Sequence, residues 1–146
     1  DALWRAIRRG EVQTVSTDHC SFTTQQKLAG RGDFTAIPGG IPGVETRGEL
    51  IYTFGVAKRK IGLGAMCRVL AENPAKLYGL FPRKGFIAEG ADADLCVFDP
   101  AALTERGTYQ DPCQTALGMD AVLVAGWLAV KNGEMTGVKA GTLIRK

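Results

Sequence analysis

The stretch "TVSTDHCSFTTQQKLAGRGDFTAIPGG" runs from Thr14 to Gly40 and holds the single histidine of the chain. It opens inside a short, β-branched run, Val12–Thr17, of the kind that forms a buried parallel strand. The run stops on Asp18-His19-Cys20 and gives way to a long loop with Pro38, Pro42 and clustered glycines. A loop of that length inside a compact domain is usually functional. Just upstream, "DALWRAIRRGEV" puts Leu3, Trp4 and Ile7 at helical spacing, with Gly10 just past the helix end. A helix and then a strand closed by polar residues is the rhythm of an α/β fold.

Working outward, helices are expected around Glu45–Phe54 and from Leu63 to Glu72, the latter with Met66, Val69 and Leu70 on one face. Asn73-Pro74 reads as an N-cap followed by proline, opening a short helix in "AKLYGLF". After Pro82 the character changes. "GFIAEGADADLCVFDP" reads as a hairpin of Phe86–Ala88 and Leu95–Phe98 around a turn at Glu89–Asp92. "AVLVAGWLAVKNGEMTG" repeats the scheme, with strands Ala121–Val124 and Leu128–Val130 and turns at Ala125-Gly126 and Asn132-Gly133. The shift from α/β to all-β places a domain boundary near residue 82, dividing the chain into 1–82 and 83–146.

Composition narrows the function classes. A chain of 146 residues, 45% hydrophobic and 23% charged, buries a core of its own. Its net charge of +3 comes from scattered Arg and Lys, so no nucleic-acid partner is expected. No apolar run approaches the roughly 20 residues of a membrane span. The four cysteines, Cys20, Cys67, Cys96 and Cys113, form no C-x-x-C pair, and one histidine cannot complete a Cys/His zinc site. They read as free thiols in a reducing cytoplasm, with Cys67 and Cys96 as small core residues.

Asp18 is the leading chemical candidate. In a (β/α)8 barrel the residues at the C-terminal ends of the strands line the active site. A carboxylate there can bind a metal and exchange protons with a bound water; from spacing alone, a helix- or turn-capping Asp is the commoner reading. His19 alone reads as structural, or as a support behind a metal ligand, more readily than as a ligand itself. Cys20 lacks a base for nucleophilic work, since His19 would face the other side of a strand. Asp92 and Asp94 read as turn-capping carboxylates. Gly39-Gly40 offers either close backbone approach to a ligand or a plain turn.

"STDHCSF", "GRGDF" and "IPGGIPGVETR" together resemble the eighth-strand region of dihydropyrimidinases and hydantoinases, the cyclic amidohydrolases. "NPAKLYGLFPRKGFIAEGADADLCVFDP" is similar to the stretch where that family passes from its barrel to a small β-sandwich. The resemblance covers Leu3 to Pro100 in several ungapped motifs in the family's order. It implies the C-terminal part of a metal-dependent (β/α)8 barrel, carrying the eighth strand, followed by strands of the sandwich; the complete enzyme would hold two divalent metals, usually zinc, and a carbamylated lysine. Of the family's ligands only the aspartate of the eighth strand maps here, onto Asp18. Its implied role is to ligate one metal and carry a proton from the attacking water to the departing amide nitrogen.

The same resemblance implies a small cyclic amide as substrate, gripped by main-chain groups at Gly39 and Gly40. Hydantoinases commonly have asparagine at the Gly39 position. Related dihydroorotases place a histidine where Phe22 stands, which argues against a dihydroorotate-like substrate. The implied partners are the remainder of the same barrel and further copies, as dimer or tetramer. By itself the 146-residue chain is expected to hold no dinuclear centre and to hydrolyse nothing. The tail from Phe98 looks more like that of N-acyl-D-amino-acid deacylases, which would want a cation for a free carboxylate; Arg31 is the loop cation in view. Deacylation of a linear substrate and a non-catalytic scaffold role are the two alternatives to ring opening.

Overall fold

The computed structural model describes residues 1–145. Helix α1 (Ala2–Arg9) ends in left-handed Gly10 (φ 75°), which lets the Glu11 amide donate to the Ala6 carbonyl at 2.9 Å. Ile7 is buried on its inner face with Trp4 packed beside it.

The run after α1 differs from its expected form. Val12–Thr17 makes no ladder with another strand. Instead the Val15 amide donates to the Val69 carbonyl at 3.1 Å, Asn73 Nδ2 to the Gln13 carbonyl at 2.8 Å, and the Arg47 guanidinium to the Val15 carbonyl at 3.4 Å. A ladder needs a neighbouring strand; here a helix and two side chains take its place.

The glycine-rich loop is also more ordered than its composition predicts. Thr23 and Gln26 close a capping box that starts α2 (Thr24–Leu28), and a 3-10 turn follows at Phe34–Ala36. Next come α3 (Arg47–Ile51), which continues through a π turn at Tyr52–Val56, and α4 (Leu63–Cys67), which continues through a π turn at Arg68–Glu72 into α5 (Asn73–Leu77). Both expected helices are thus present.

Asn73 is not an N-cap. Its backbone is helical (φ −67°, ψ −41°), because the π turn runs straight into α5, and its side chain serves Gln13. The "AKLYGLF" helix closes at Leu77, with Gly79 (φ 69°) allowing the Leu80 amide to reach the Ala75 carbonyl at 2.7 Å. The core joins these pieces: Ile7, Ile61, Ala65 and Val69 are buried, with Val12, Val15, Ile51, Val56, Met66 and Leu70 against them. Gly55 is required where the Trp4 ring crosses, since a Cβ would come within 2.7 Å of it.

The second half is a four-stranded antiparallel meander, β1 (Leu95–Phe98), β2 (Met119–Val124), β3 (Trp127–Lys131) and β4 (Glu134–Met135), in that order. Two of the three predicted hairpin turns form, with positive φ at both central residues: 49° and 82° at Ala125-Gly126, 50° and 79° at Asn132-Gly133. The expected strand Phe86–Ala88 is absent. Residues 83–94 instead close as a loop, tied by Lys84 ion-paired to Asp92 at 2.9 Å and to Asp94, and by the Asp92 amide on the Arg83 carbonyl at 2.8 Å.

Asp94 does cap a turn, but across the chain, accepting from the Ala125 amide at 2.8 Å; Asp92 is an ion-pair partner. Cys67 and Cys96 are exposed, not core. They border an apolar groove of about 750 Å³ between α4–α5 and β1, lined also by Met66, Leu70, Phe86 and Phe98. Tyr52 meets Phe98 edge to face at 5.3 Å, joining the helical half to β1. Among the described residues no helix is long and apolar enough to cross a membrane.

Candidate functional site

Asp18 sits where the Val12–Thr17 run turns, in the left-handed region at φ 48°, a conformation that Asp tolerates better than most residues. Its side chain is exposed, and among the described residues nothing donates to its carboxylate. It caps no helix. The next helix is capped by Thr23, whose Oγ1 accepts from the Gln26 amide at 3.2 Å while Gln26 Oε1 accepts from the Thr23 amide at 2.8 Å. The capping role that competed for Asp18 therefore belongs to another residue.

The chain returns alongside Asp18 in residues 38–44. His19 Nδ1 accepts from the amides of Gly43 at 3.0 Å and Val44 at 3.2 Å. A ring nitrogen that accepts carries no proton, which puts the proton of the neutral imidazole on Nε2. The Cys20 amide donates to the Ile41 carbonyl at 3.1 Å. Gly40 packs against Cys20 so closely that a Cβ would lie 2.7 Å from the Cys20 Cβ, and its φ of 129° also calls for glycine. A Cβ on Gly43 would stand 3.2 Å from Thr17. Gly39 is exposed, and a Cβ on it would meet nothing within 4 Å. The structure thus brings Gly39-Gly40 back beside the Asp18 segment, with His19 in the structural role expected of it and so not free to serve Cys20 as a base.

Sequence reasoning missed Lys27. From α2 its ammonium donates to the carbonyls of Pro38 at 2.6 Å and Gly40 at 2.8 Å, and lies 5.1 Å from the centre of the Phe22 ring. The cation against the loop is Lys27; Arg31 is exposed. The signal was the capping box Thr23-Thr24-Gln25-Gln26, which announces a helix with Lys27 in its last turn.

Metal-binding capacity is limited. Among the described residues no group of three or more His, Cys, Asp or Glu side chains is placed to hold an ion. Asp18 fits as one oxygen donor, but these residues do not fit a complete metal centre. Glu49 lies elsewhere, buried at the start of α3, with its Oε2 unpaired. Burial, with smaller contributions from the charges of Glu45 and Glu105, pushes its carboxyl above the ordinary range.

Residues 1–135 match the amidohydrolase family. The D-hydantoinase of Rhizobium radiobacter is 47% identical over 159 aligned positions, which take in all of this chain and 34% of that protein. The solved D-hydantoinase (dihydropyrimidinase) from Thermus sp. superposes with a TM-score of 0.84 at 40% identity, covering 95% of this chain and 32% of the other. A looser likeness is to a D-aminoacylase studied for its binuclear metal centre, with a TM-score of 0.59 at 26% identity over 64% of this chain and 20% of the other. The chain spans about a fifth to a third of the length of the curated relatives it matches.

Proposed function

The chain belongs to the amidohydrolase family, and from that premise we propose that it is the part of a cyclic-amide hydrolase that supplies Asp18 and the Gly39-Gly40 loop. The reaction is hydrolysis of a ring C–N bond in a hydantoin or dihydropyrimidine. In this reading residues 1–82 complete a (β/α)8 barrel, with Val12–Thr17 as its eighth strand, and residues 83–146 contribute to a small β-sandwich. The unmet strand edges of Val12–Thr17 support it, because that run is held by substitutes for the bonds a sheet would supply.

The observation that carries the proposal is Asp18 itself: an exposed carboxylate without a partner, at the end of an extended run, with a loop folded beside it. Two divalent metal ions, zinc in this reading, would supply Lewis acidity and an activated water when bound. Asp18 would give one ligand; the remaining donors, a carbamylated lysine among them, lie outside this sequence. Asp18 takes the proton of the attacking water and delivers it to the ring nitrogen as the C–N bond breaks. Gly39 and Gly40 hold the ring through main-chain groups.

A linear N-acyl amino acid would bring a free carboxylate in search of a cation. Lys27, the cation packed against residues 38–40, is already engaged by two carbonyls, which favours the uncharged ring. Four free thiols accord with a cytoplasmic enzyme. The family resemblance suggests a dimer or tetramer.

The test is Asp18→Asn in the complete metal-loaded enzyme. The substitution keeps size and removes the proton acceptor, so kcat for hydantoin should fall by about 10²-fold or more with the fold unchanged by circular dichroism. Near-normal kcat would remove Asp18 from the chemistry.

A further inference from the structure

The loop at residues 38–44 has its backbone bonds distributed unevenly, and Lys27 is the reason. An ammonium has three donors and no acceptor. Two of Lys27's go to the carbonyls of Pro38 at 2.6 Å and Gly40 at 2.8 Å, and the Phe22 ring faces the charge. The Ile41 carbonyl is taken by the Cys20 amide, and the Gly43 and Val44 amides by His19. Among the described residues the amides of Gly39, Gly40 and Ile41 and the carbonyl of Gly39 have no protein partner.

Peptide planarity gives this distribution a direction. In a trans unit the C=O and the following N–H point opposite ways. With the Pro38 and Gly40 carbonyls held toward Lys27, the Gly39 and Ile41 amides must point away from it. An exposed glycine-rich loop would otherwise sample many orientations of these groups. We propose that Lys27 is a positioning residue for the substrate: by gripping two alternate carbonyls it fixes the Gly39 and Ile41 amides as outward donors for the carbonyl oxygens of a cyclic amide. The proposal rests on the ring-opening reading and adds to it the group that orders the binding loop. Lys27 touches neither substrate nor reacting atoms, so its loss weakens binding and spares proton transfer by Asp18.

The experiment compares wild type, Lys27→Met and Lys27→Arg in the complete metal-loaded enzyme with hydantoin as substrate. Methionine keeps an apolar stem of similar length and removes the donors. KM should rise by roughly tenfold or more, the scale of lost hydrogen bonds from a charged donor, while kcat stays within about threefold. Hydrogen exchange in residues 34–43 should quicken in Lys27→Met. Lys27→Arg, which keeps donors at the end of a long stem, should lie between the two in KM, and it carries the comparison if Lys27→Met does not fold. Unchanged KM in the variant compared, or a fall in kcat with KM unchanged, overturns the positioning role while leaving ring opening intact. A wild-type enzyme that opens no hydantoin ring overturns both.

Discussion

At the scale of single residues, Asp18 and Glu49 show opposite uses of a carboxylate. Asp18 is exposed, and among the described residues nothing donates to its carboxylate. Glu49 is buried with an unpaired oxygen, and its carboxyl is pushed up chiefly by that burial. A group with a raised folded-state pKa binds protons more tightly folded than unfolded. Its favourable contribution is full below the unfolded value, near 4.5, and is lost as pH rises through the folded one. Glu49→Gln should therefore raise the Tm of the enzyme at pH 7, and the difference should shrink toward pH 4, where Glu49 is itself neutral. Thermal melts across that range check it; a variant less stable at pH 7 would mean the ionised form is stabilised by contacts not seen among residues 1–145.

At the scale of elements, local chemistry explains what could be read ahead of the structure. Gly10 as helix terminator and the paired turns at Ala125-Gly126 and Asn132-Gly133 need only near neighbours, and each formed where the residues placed it. Ala125 is the weak member, since a Cβ at φ 49° is strained where glycine is not. Ala125→Gly should stabilise the hairpin by roughly 0.5–1 kcal/mol, read from urea denaturation; no gain would mean the turn relaxes its own strain. What failed to be legible depended on distant partners. Val12–Thr17 has strand composition but no neighbouring strand, Phe86–Ala88 yields to the Lys84 ion pairs, and Asn73 turns to Gln13, sixty residues away in sequence. Around the candidate site, the end of the extended run at Asp18-His19-Cys20 and the glycines of the loop could be named from the sequence, while the roles given to Asp18, Gly39 and Gly40 are proposals. Lys27 could not be named, because its partners lie eleven and thirteen residues away.

At the scale of the molecule, a helical half and an antiparallel half meet at Tyr52 and Phe98, and Asp18 stands apart from the apolar groove between them. The proposed ring opening thus rests on one carboxylate, Asp18, and one loop, Gly39-Gly40. The central claim is that these serve a ring and not a linear amide. The direct measurement is kcat/KM of the complete metal-loaded enzyme for hydantoin and dihydrouracil beside that for N-acyl-D-amino acids, under one set of conditions. The account predicts that the cyclic substrates are turned over with the higher kcat/KM. Faster turnover of the N-acyl-D-amino acids would contradict it, even with Asp18 still required.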